Sequence, residues 1–219
     1  MPERDERAES AYTDHLDRSR RRWDRWSDWY SLSEQDFAPL RERTVEALEL
    51  SPGDRVLEVG CGPGVTLETL VDAVGPEGTV VAIDYSPAML AAARERVEEN
   101  GWECVELHRA DATTADLGGP YDGAIAGLAL SVMPDVGRAV ENVHGVLEPG
   151  APLGVFDVRP FPGGPQRVLN PLVRRFLRWY ANYNPDGDVL GALEDTFETV
   201  TVREEPFGGF AYAALARRA

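Results

Sequence analysis

The sequence predicts an α/β protein whose doubly wound, mostly parallel sheet has seven strands and ends in a C-terminal antiparallel hairpin. From residue 55 onward, short apolar runs alternate with amphipathic stretches of about ten residues, which is the pattern of repeated βαβ units. Pro87 stands where a helix begins and Gly101 stands just past a helix end. The last two apolar runs are joined only by a turn at Pro206–Gly208, which indicates a hairpin.

Each element is justified by its spacing in the sequence. Residues 1–10 are charged and expected to fray, residues 11–30 have helical spacing, and a second helix is expected from Pro39 to Leu48. Strands are predicted at 55–59, 80–83, 104–107, 123–126, 153–157, 198–204 and 209–216. Helices are predicted at 65–74, 87–99, 136–147 and 166–183.

The length of 219 residues favours one domain with a full core. We expect residues 1–50 to form an N-terminal helical cap, or lid, on a sheet domain at 51–219. The amphipathic stretch after the fifth strand predicts a helical insertion at about 162–190.

The charge of the chain is strongly negative. There are 38 acidic and 22 basic residues, the formal net charge is −16, and every basic residue is arginine because the sequence contains no lysine. Surplus carboxylates keep a protein dispersed when salt screens repulsion, so we expect adaptation to a high-salt cytoplasm. The same charge disfavours nucleic acid as a partner, since phosphate binding needs a basic surface.

The sequence has neither a hydrophobic signal segment nor an apolar run of about 18 residues, so a cytoplasmic protein without a transmembrane segment is expected. Cys61, Cys104 and three histidines provide no four-ligand cluster, and no metal is expected. Oligomeric state is not indicated by any pattern.

The strongest chemical signal is the stretch VLEVGCGPGV, Val56–Val65. A predicted strand runs directly into Gly60, Gly62 and Gly64, and a helix opens after them. Glycines at these positions let the backbone turn sharply and approach a ligand closely, with the amide end of the helix facing it. The next strand ends in Asp84, where doubly wound folds place a carboxylate against a ribose diol. A nucleotide site is therefore predicted at this edge of the sheet.

A nicotinamide dehydrogenase is one alternative, but its G-x-G-x-x-G fingerprint places the third glycine one residue later than Gly64. The pattern Glu58-x-Gly60-x-Gly62-x-Gly64 resembles instead the first motif of the class I S-adenosylmethionine-dependent methyltransferases, which have a Rossmann-like fold. Four more segments resemble the later motifs of that family in the right order: AIDYSPAML, RADATTADL, YDGAIAGLALSVMPD and VLEPGAPLGVFDV. Together these segments cover residues 56–158.

The resemblance implies a binding set for S-adenosylmethionine. Its members are Glu58, Gly60, Gly62, Gly64, Asp84, Tyr85, Met89, Asp111, Ala112 and Gly127. The glycines would wrap the methionine part, with Glu58 acting through a bridging water, and Asp84 would accept both ribose hydroxyls.

The remaining members of this binding set would contact the adenine and the sulfonium end. Tyr85 and Met89 would border the adenine, while Asp111 would accept from its amino group with the amide of Ala112 alongside. Gly127 would lie near the sulfonium. Core packing is the alternative for Tyr85 and Met89, and a turn role is the alternative for Asp111.

The acceptor side is expected at the same edge of the sheet. Asp157 and Arg159, after the fifth strand, are candidates for acceptor contact, with a structural ion pair as the alternative. The stretch Asn170–Asn184 puts Trp179 and Tyr183 on one helical face with other apolar side chains. Methyl transfer does not require a strong base, and no catalytic residue is identified.

The stretch RRRWDRWSDWY, Arg20–Tyr30, gathers arginines and aromatics. Its WDRWSDWYS part resembles the lead-in of the quinone-biosynthesis and small-molecule branch of the same family, with Trp where that branch has Tyr. Trp29 and Tyr30 are therefore candidates for ligand contact. Aspartates three or four residues from the arginines favour a salt-bridged surface helix as the alternative.

These patterns predict an S-adenosylmethionine-dependent methyltransferase that acts on a small-molecule or lipid-like acceptor. The lid hypothesis holds that the N-terminal helix and the insertion helix line an apolar pocket with their aromatic faces. A catalytically silent protein that binds S-adenosylmethionine or S-adenosylhomocysteine as a regulatory ligand is the alternative function.

Overall fold

The computed structural model describes residues 2–26 and 37–219. In the first of these ranges, side chains are described for residues 9–25 only. The strands are β1 (Arg55–Val59), β2 (Thr79–Asp84), β3 (Val105–Arg109), β4 (Gly123–Gly127), β5 (Pro152–Val158), β6 (Thr199–Glu204) and β7 (Ala211–Arg217). The helices are α1 (Pro2–Trp26), α2 (Ala38–Glu46), α3 (Leu67–Val74), α4 (Pro87–Asn100), α5 (Val136–Gly145), α6 (Asn170–Ala181) and α7 (Val189–Thr196).

The strands form one seven-stranded sheet in the order β3-β2-β1-β4-β5-β7-β6. The first five strands are parallel, and β7 pairs antiparallel with both β5 and β6. This confirms the predicted fold class. The strand order reverses between β1 and β4, so a crevice opens there at the carboxyl ends of the strands, where doubly wound folds bind ligands.

Local sequence explains the helix boundaries beside the crevice. At the start of α4, the Ser86 hydroxyl accepts a hydrogen bond from the Met89 amide at 3.2 Å, and Pro87 occupies the first turn. The same helix ends at Gly101, whose φ of +67° is the left-handed conformation that glycine adopts easily. Asp135 caps α5 through the Arg138 amide.

Two apolar cores cover the two faces of the sheet. Leu57 and Val59 of β1 belong to the core that includes α5 and α7. Val56 belongs to the core that includes α2 and α3. Because side chains alternate along a strand, Glu58 lies on the same face as Val56.

The structure differs from the sequence prediction at both helical segments outside the sheet. The expected frayed N-terminus is wrong, since α1 already begins at Pro2. The single helix predicted at 166–183 is a 3₁₀ turn at Pro165–Leu169 followed by α6, and α7 was not predicted. Pro171 starts α6, and Asn182, with φ of +57°, ends it before Tyr183. In the part of the chain described, no helix is long and apolar enough to cross a membrane.

Candidate functional site

A pocket occupies the crevice at the carboxyl ends of β1, β2 and β4, and α1 forms its outer wall. Most of the predicted binding set meets there: Gly60, Gly62, Asp84, Tyr85, Met89, Asp111, Ala112 and Gly127. Four side chains of α1 line the opposite wall: Leu16, Ser19, Arg20 and Trp23. The topology thus brings together residues that are far apart in the sequence.

Asp84 joins two loops of this pocket. One carboxylate oxygen accepts the Gly62 amide at 2.9 Å, and the other accepts the Ser86 amide at 2.8 Å. Burial raises the pKa of Asp84, while the amide hydrogen bonds oppose that shift by stabilising the carboxylate. The side chain therefore fixes the glycine loop and presents an acceptor to the pocket.

The backbone path of the glycine loop requires residues with positive φ. Gly60, Gly62 and Gly64 have φ of +70°, +54° and +80°. A Cβ on Gly60 would lie 2.5 Å from the Ala129 Cβ, and one on Gly64 would lie 2.6 Å from a Leu67 methyl group. A Cβ on Gly62 would meet no atom of the described part of the chain within 4 Å. Close packing therefore explains why Gly60 and Gly64 lack a side chain, whereas Gly62 faces open space. Gly64 supports the loop from behind and does not line the pocket.

Glu58 lies in a smaller adjoining pocket behind the glycine loop, together with Arg41 and Thr66. Glu58 is 3% exposed, and among the residues that the structure describes its Oε2 has no hydrogen-bond partner. Burial raises the pKa of Glu58 to about 8, with Thr66 and Arg41 opposing the shift and Asp84 adding to it. A buried acceptor that lacks a partner is costly, and it suits a cationic group placed beside it.

Side chains of α1 bond to three of the loops that bound the pocket. The Tyr12 hydroxyl donates to an Asp111 carboxylate oxygen at 2.5 Å. A His15 ring nitrogen lies 2.8 Å from the Val132 carbonyl oxygen.

A third bond ties α1 to the loop after β2, where the Ser86 hydroxyl donates to Asp24 at 2.7 Å. Burial lowers the pKa of His15. The helix is therefore tied to the loops after β2, β3 and β4, as a cover over the crevice.

Asp111 has its two oxygens engaged within the protein. Besides the Tyr12 hydroxyl, they accept the Thr113 amide at 3.0 Å and the Thr114 hydroxyl at 3.2 Å. The turn role weighed for this residue is therefore observed, and its expected contact with adenine stays a prediction. Met89 is 2% exposed, so it belongs to the core as well as to the pocket wall.

Several acceptor-side expectations need correction. Asp157 is fully buried, and its two oxygens accept the Ser131 amide at 2.9 Å and the Ser131 hydroxyl at 2.6 Å, so it supports the loop after β4 instead of facing an acceptor. Burial raises its pKa to about 6. Arg159 pairs with Glu205 at 2.5 Å, so the structural ion pair given as its alternative is observed, with Glu205 and not Asp157 as the partner.

The insertion helix does not line the cofactor crevice. Trp179 is 63% exposed on the outer face of α6, which contradicts the hypothesis that the aromatic faces of both helices point inward. Tyr183 is buried and lines a separate pocket beside β5 with Arg159. Trp29 and Tyr30 lie outside the described residues.

Sequence reasoning missed several residues of the site. Arg41, Thr66 and Ser131 reach it only because helix and loop packing brings them there. Ser86 carries a recognisable signal, since a serine before proline at the start of a helix is a common N-cap. Tyr12 has no recognisable signal in the sequence, because no short-range pattern links it to Asp111.

Comparison with known proteins decides the family. The family model described as "Methyltransferase domain" matches residues 56–150. Aklanonic acid methyltransferase DauC of Streptomyces sp. (strain C5) is 30% identical over 151 residues, which are 67% of this chain and 68% of that protein. The chain belongs to the class I S-adenosylmethionine-dependent methyltransferases.

Other relatives of the chain agree with that assignment. The 2-phytyl-1,4-naphtoquinone methyltransferase of Synechococcus elongatus is 34% identical over 59% of this chain and 53% of its own length. The chain thus spans about half the length of that relative. A solved SAM-dependent methyltransferase from Aquifex aeolicus has a TM-score of 0.62 and 23% identity, covering 82% of this chain and 89% of its own, which shows the shared fold.

The residues of the crevice fit the cofactor of the family. The partnerless Glu58 oxygen suits the ammonium of a methionine moiety, and the space in front of Gly62 allows close approach of a ligand. Asp84, at the end of β2, is placed where this fold holds a ribose.

Proposed function

We propose that this methyltransferase transfers a methyl group from S-adenosylmethionine to a small organic or lipid-like acceptor that carries an acidic group. The observation that carries the proposal is the crevice beneath α1, which is lined by Gly62 and Asp84, with Glu58 in the pocket that adjoins it behind the glycine loop. A dehydrogenase is disfavoured by the glycine spacing. The relatives support this acceptor class, since one is named for a phytyl naphthoquinone and another for an acid.

S-adenosylmethionine, when bound, supplies a methyl group on a strongly electrophilic sulfonium, so the chain must align and shield more than it must move protons. In this proposal Asp84 accepts the ribose hydroxyls, and Glu58 holds the methionine ammonium. Trp23 and Leu16 of α1 exclude water from the crevice.

The pocket beside the carboxyl end of β5 is proposed to hold the acidic group of the acceptor. The loop after β4 separates this pocket from the cofactor crevice, so the acceptor must reach past that loop to the methyl group. The lining of this pocket includes three arginines, one aspartate and two tyrosines: Arg159, Arg167, Arg174, Asp188, Tyr183 and Tyr212. Arg159 has Glu205 as a partner, whereas Arg167 and Arg174 form no ion pair within residues 9–25 and 37–219. Guanidinium groups beside aromatic rings suit an acceptor with a carboxylate or an ionised hydroxyl on an apolar ring system.

The cofactor assignment is tested by thermal unfolding and calorimetry with S-adenosylmethionine, S-adenosylhomocysteine and NAD. The first two should stabilise the protein and NAD should not. Asp84→Ala should weaken cofactor binding at least about tenfold because two amide partners and the ribose acceptor are lost. Asp72→Ala, on the exposed side of α3, is the matched control and should bind normally.

The transfer reaction is tested by release of S-adenosylhomocysteine with acidic, quinone-like and neutral acceptors. Arg167→Gln should raise the KM for acidic acceptors and leave the cofactor Kd unchanged, while the exposed Arg94→Gln should change neither. Cofactor binding without turnover on any acceptor or on fractionated lysate would favour the silent regulatory protein. Normal cofactor affinity in Asp84→Ala would refute the site itself.

A further inference from the structure

The outer face of α6, with the 3₁₀ turn before it, exposes an unusual row of large apolar side chains, here called the α6 ridge. The members are Val168 (78% exposed), Leu169 (46%), Leu172 (67%), Phe176 (52%) and Trp179 (63%). Within the described residues, five of the seven exposed large apolar side chains belong to this ridge. Such clustering marks an interaction surface, whereas scattered exposed residues do not.

The helix geometry keeps the ridge outside. Leu172, Phe176 and Trp179 are four and then three residues apart, so they share one helical face. Leu177 is the buried side chain of α6 and packs inward. The Phe176 ring stacks on Tyr180 with centroids 5.6 Å apart and lies near Trp179 at 6.2 Å, which holds the aromatics together at the surface.

The sequence segment that carries the ridge has a charge opposite to that of the whole chain, although Asp186, just beyond it, lies beside its arginines. From Arg159 to Pro185 the sequence has five arginines and no acidic residue, although the whole chain carries a net charge of −16. Arg174, Arg175 and Arg178 of α6 are exposed beside the ridge. Only charges within about 10 Å of a partner act strongly at ordinary ionic strength, so this local basic surface governs what approaches α6.

We propose that the α6 ridge docks this protein on the surface of an anionic lipid bilayer, with α6 lying in the plane of the headgroups. A bilayer surface offers phosphates for the arginines and an acyl boundary for Leu172, Phe176 and Trp179 at the same depth. A second copy of this acidic chain offers carboxylates for the arginines, but five of the seven exposed large apolar side chains among its described residues are on the ridge itself, where arginine would face arginine. Charge complementarity therefore favours the bilayer.

The attachment is peripheral and reversible. α6 has 12 residues and does not cross the bilayer, and its apolar side chains reach only the headgroup boundary. Binding needs neither cofactor nor acceptor, so the proposal goes beyond the proposed function and fails or succeeds separately from it.

The test is vesicle co-sedimentation of the full chain without cofactor. Vesicles of phosphatidylcholine with phosphatidylglycerol should bind the protein, and vesicles of phosphatidylcholine alone should bind at least about tenfold more weakly. Leu172→Glu and Phe176→Glu should each reduce binding to the anionic vesicles by about tenfold or more, because a buried apolar contact is replaced by a repelled charge. Val202→Glu, at an exposed apolar position on β6, is the matched control and should bind like the parent.

A charge series separates the arginines from the apolar ridge. Arg175→Gln with Arg178→Gln should weaken binding and reduce its dependence on salt, whereas Arg203→Gln on β6 should not. Cofactor stabilisation and circular dichroism establish that each variant is folded.

Three results would overturn the proposal. One is a failure of the parent to bind anionic vesicles, and another is equal binding by the α6 variants. The third is a dimer in sedimentation velocity that Leu172→Glu dissociates, which would assign the ridge to a second copy of this chain.

Discussion

Gly62 differs from the glycines around it in what its missing side chain leaves free. Gly60 and Gly62 both border the two pockets, but Gly60, like Gly64, is constrained by packing, against Ala129 and Leu67 respectively. Of these three glycines, only Gly62 has open space among the described residues where a Cβ would point. Its amide also donates to Asp84. Three glycines that look equivalent in the sequence therefore serve two different purposes.

Gly62→Ala should separate ligand binding from folding. The positive φ costs alanine about 1–2 kcal/mol, with no added clash, so the protein should fold but bind S-adenosylmethionine at least about tenfold more weakly. Gly60→Ala adds a clash with Ala129 and should lower the melting temperature further. Thermal unfolding and calorimetry measure the two effects. Normal cofactor affinity in folded Gly62→Ala would show that no ligand approaches this glycine.

Glu58 should make the stability of the cofactor-free protein depend on pH. Its pKa of about 8 exceeds the ordinary value of 4.5, so the folded state holds the proton more tightly than the unfolded state. The free energy of unfolding should therefore fall as pH rises from about 4.5 to about 8, by up to about 1.4 kcal/mol per pKa unit.

Glu58→Gln removes this ionisation. In cofactor-free thermal unfolding, the variant should gain stability relative to the parent as pH rises from about 6 to about 9, because only the parent must ionise a buried carboxyl. Glu68→Gln, on the first turn of α3, is the control for general charge effects. Parallel pH curves for the parent and Glu58→Gln would contradict the raised pKa.

Helix α1 makes contacts of two kinds. One face bonds to the crevice loops and to the end of α6, and the outer face carries ion pairs. Tyr12, His15 and Asp24 bond to loops of the crevice, while Asn182 after α6 donates to the Ser19 hydroxyl at 2.7 Å. On its outer side Arg21 pairs with an aspartate four residues earlier. The salt-bridged face predicted from sequence and the face that covers the crevice are thus two faces of one helix, while its closing over an acceptor as a lid stays a prediction.

Trp23→Ala should weaken cofactor binding by about tenfold, since the indole forms part of the pocket wall and excludes water from it. Arg21→Ala, whose side chain is 69% exposed, should bind like the parent. Deletion of residues 1–30 should weaken both cofactor and acceptor binding while the sheet stays folded. Calorimetry and circular dichroism check these outcomes, and unchanged affinity in the deletion would remove α1 from the site.

Helix α6 illustrates what periodicity alone leaves open. The sequence correctly predicts an amphipathic helix there, but its aromatic face was expected to line the acceptor pocket and instead faces outward. Periodicity reports that a face is apolar, and only packing determines what that face meets. Pro171 and Asn182 fix the limits of α6, so Tyr183 leaves the helical face and turns into the pocket beside β5.

The whole molecule carries its acidic charge unevenly. The chain as a whole has a net charge of −16, whereas the segment from Arg159 to Pro185 contains arginines and no acidic residue. Like charges on a compact protein repel one another and destabilise it at low ionic strength. Salt screens this repulsion over a distance that shrinks from about 10 Å at 0.1 M to about 3 Å at 1 M.

The melting temperature should therefore rise as KCl is increased from about 0.1 M to about 2 M, as expected for a protein adapted to high salt. Sucrose, which carries no charge, is the control that separates screening from general exclusion of solutes. A melting temperature that is flat or falls with KCl would contradict the high-salt adaptation inferred from composition.

The sequence by itself determined the fold class, the seven strands in their order along the chain, and the positions of Gly60, Gly62 and Asp84 at the carboxyl edge of the sheet. These follow from periodicity, turn chemistry and a motif, all of which act over a few residues. Tertiary structure alone decided that Asp157 is buried under Ser131, that Tyr12 bonds to Asp111, and that the apolar face of α6 points outward. Such contacts join residues far apart in the chain, and only the packing of elements against each other determines which side chains meet.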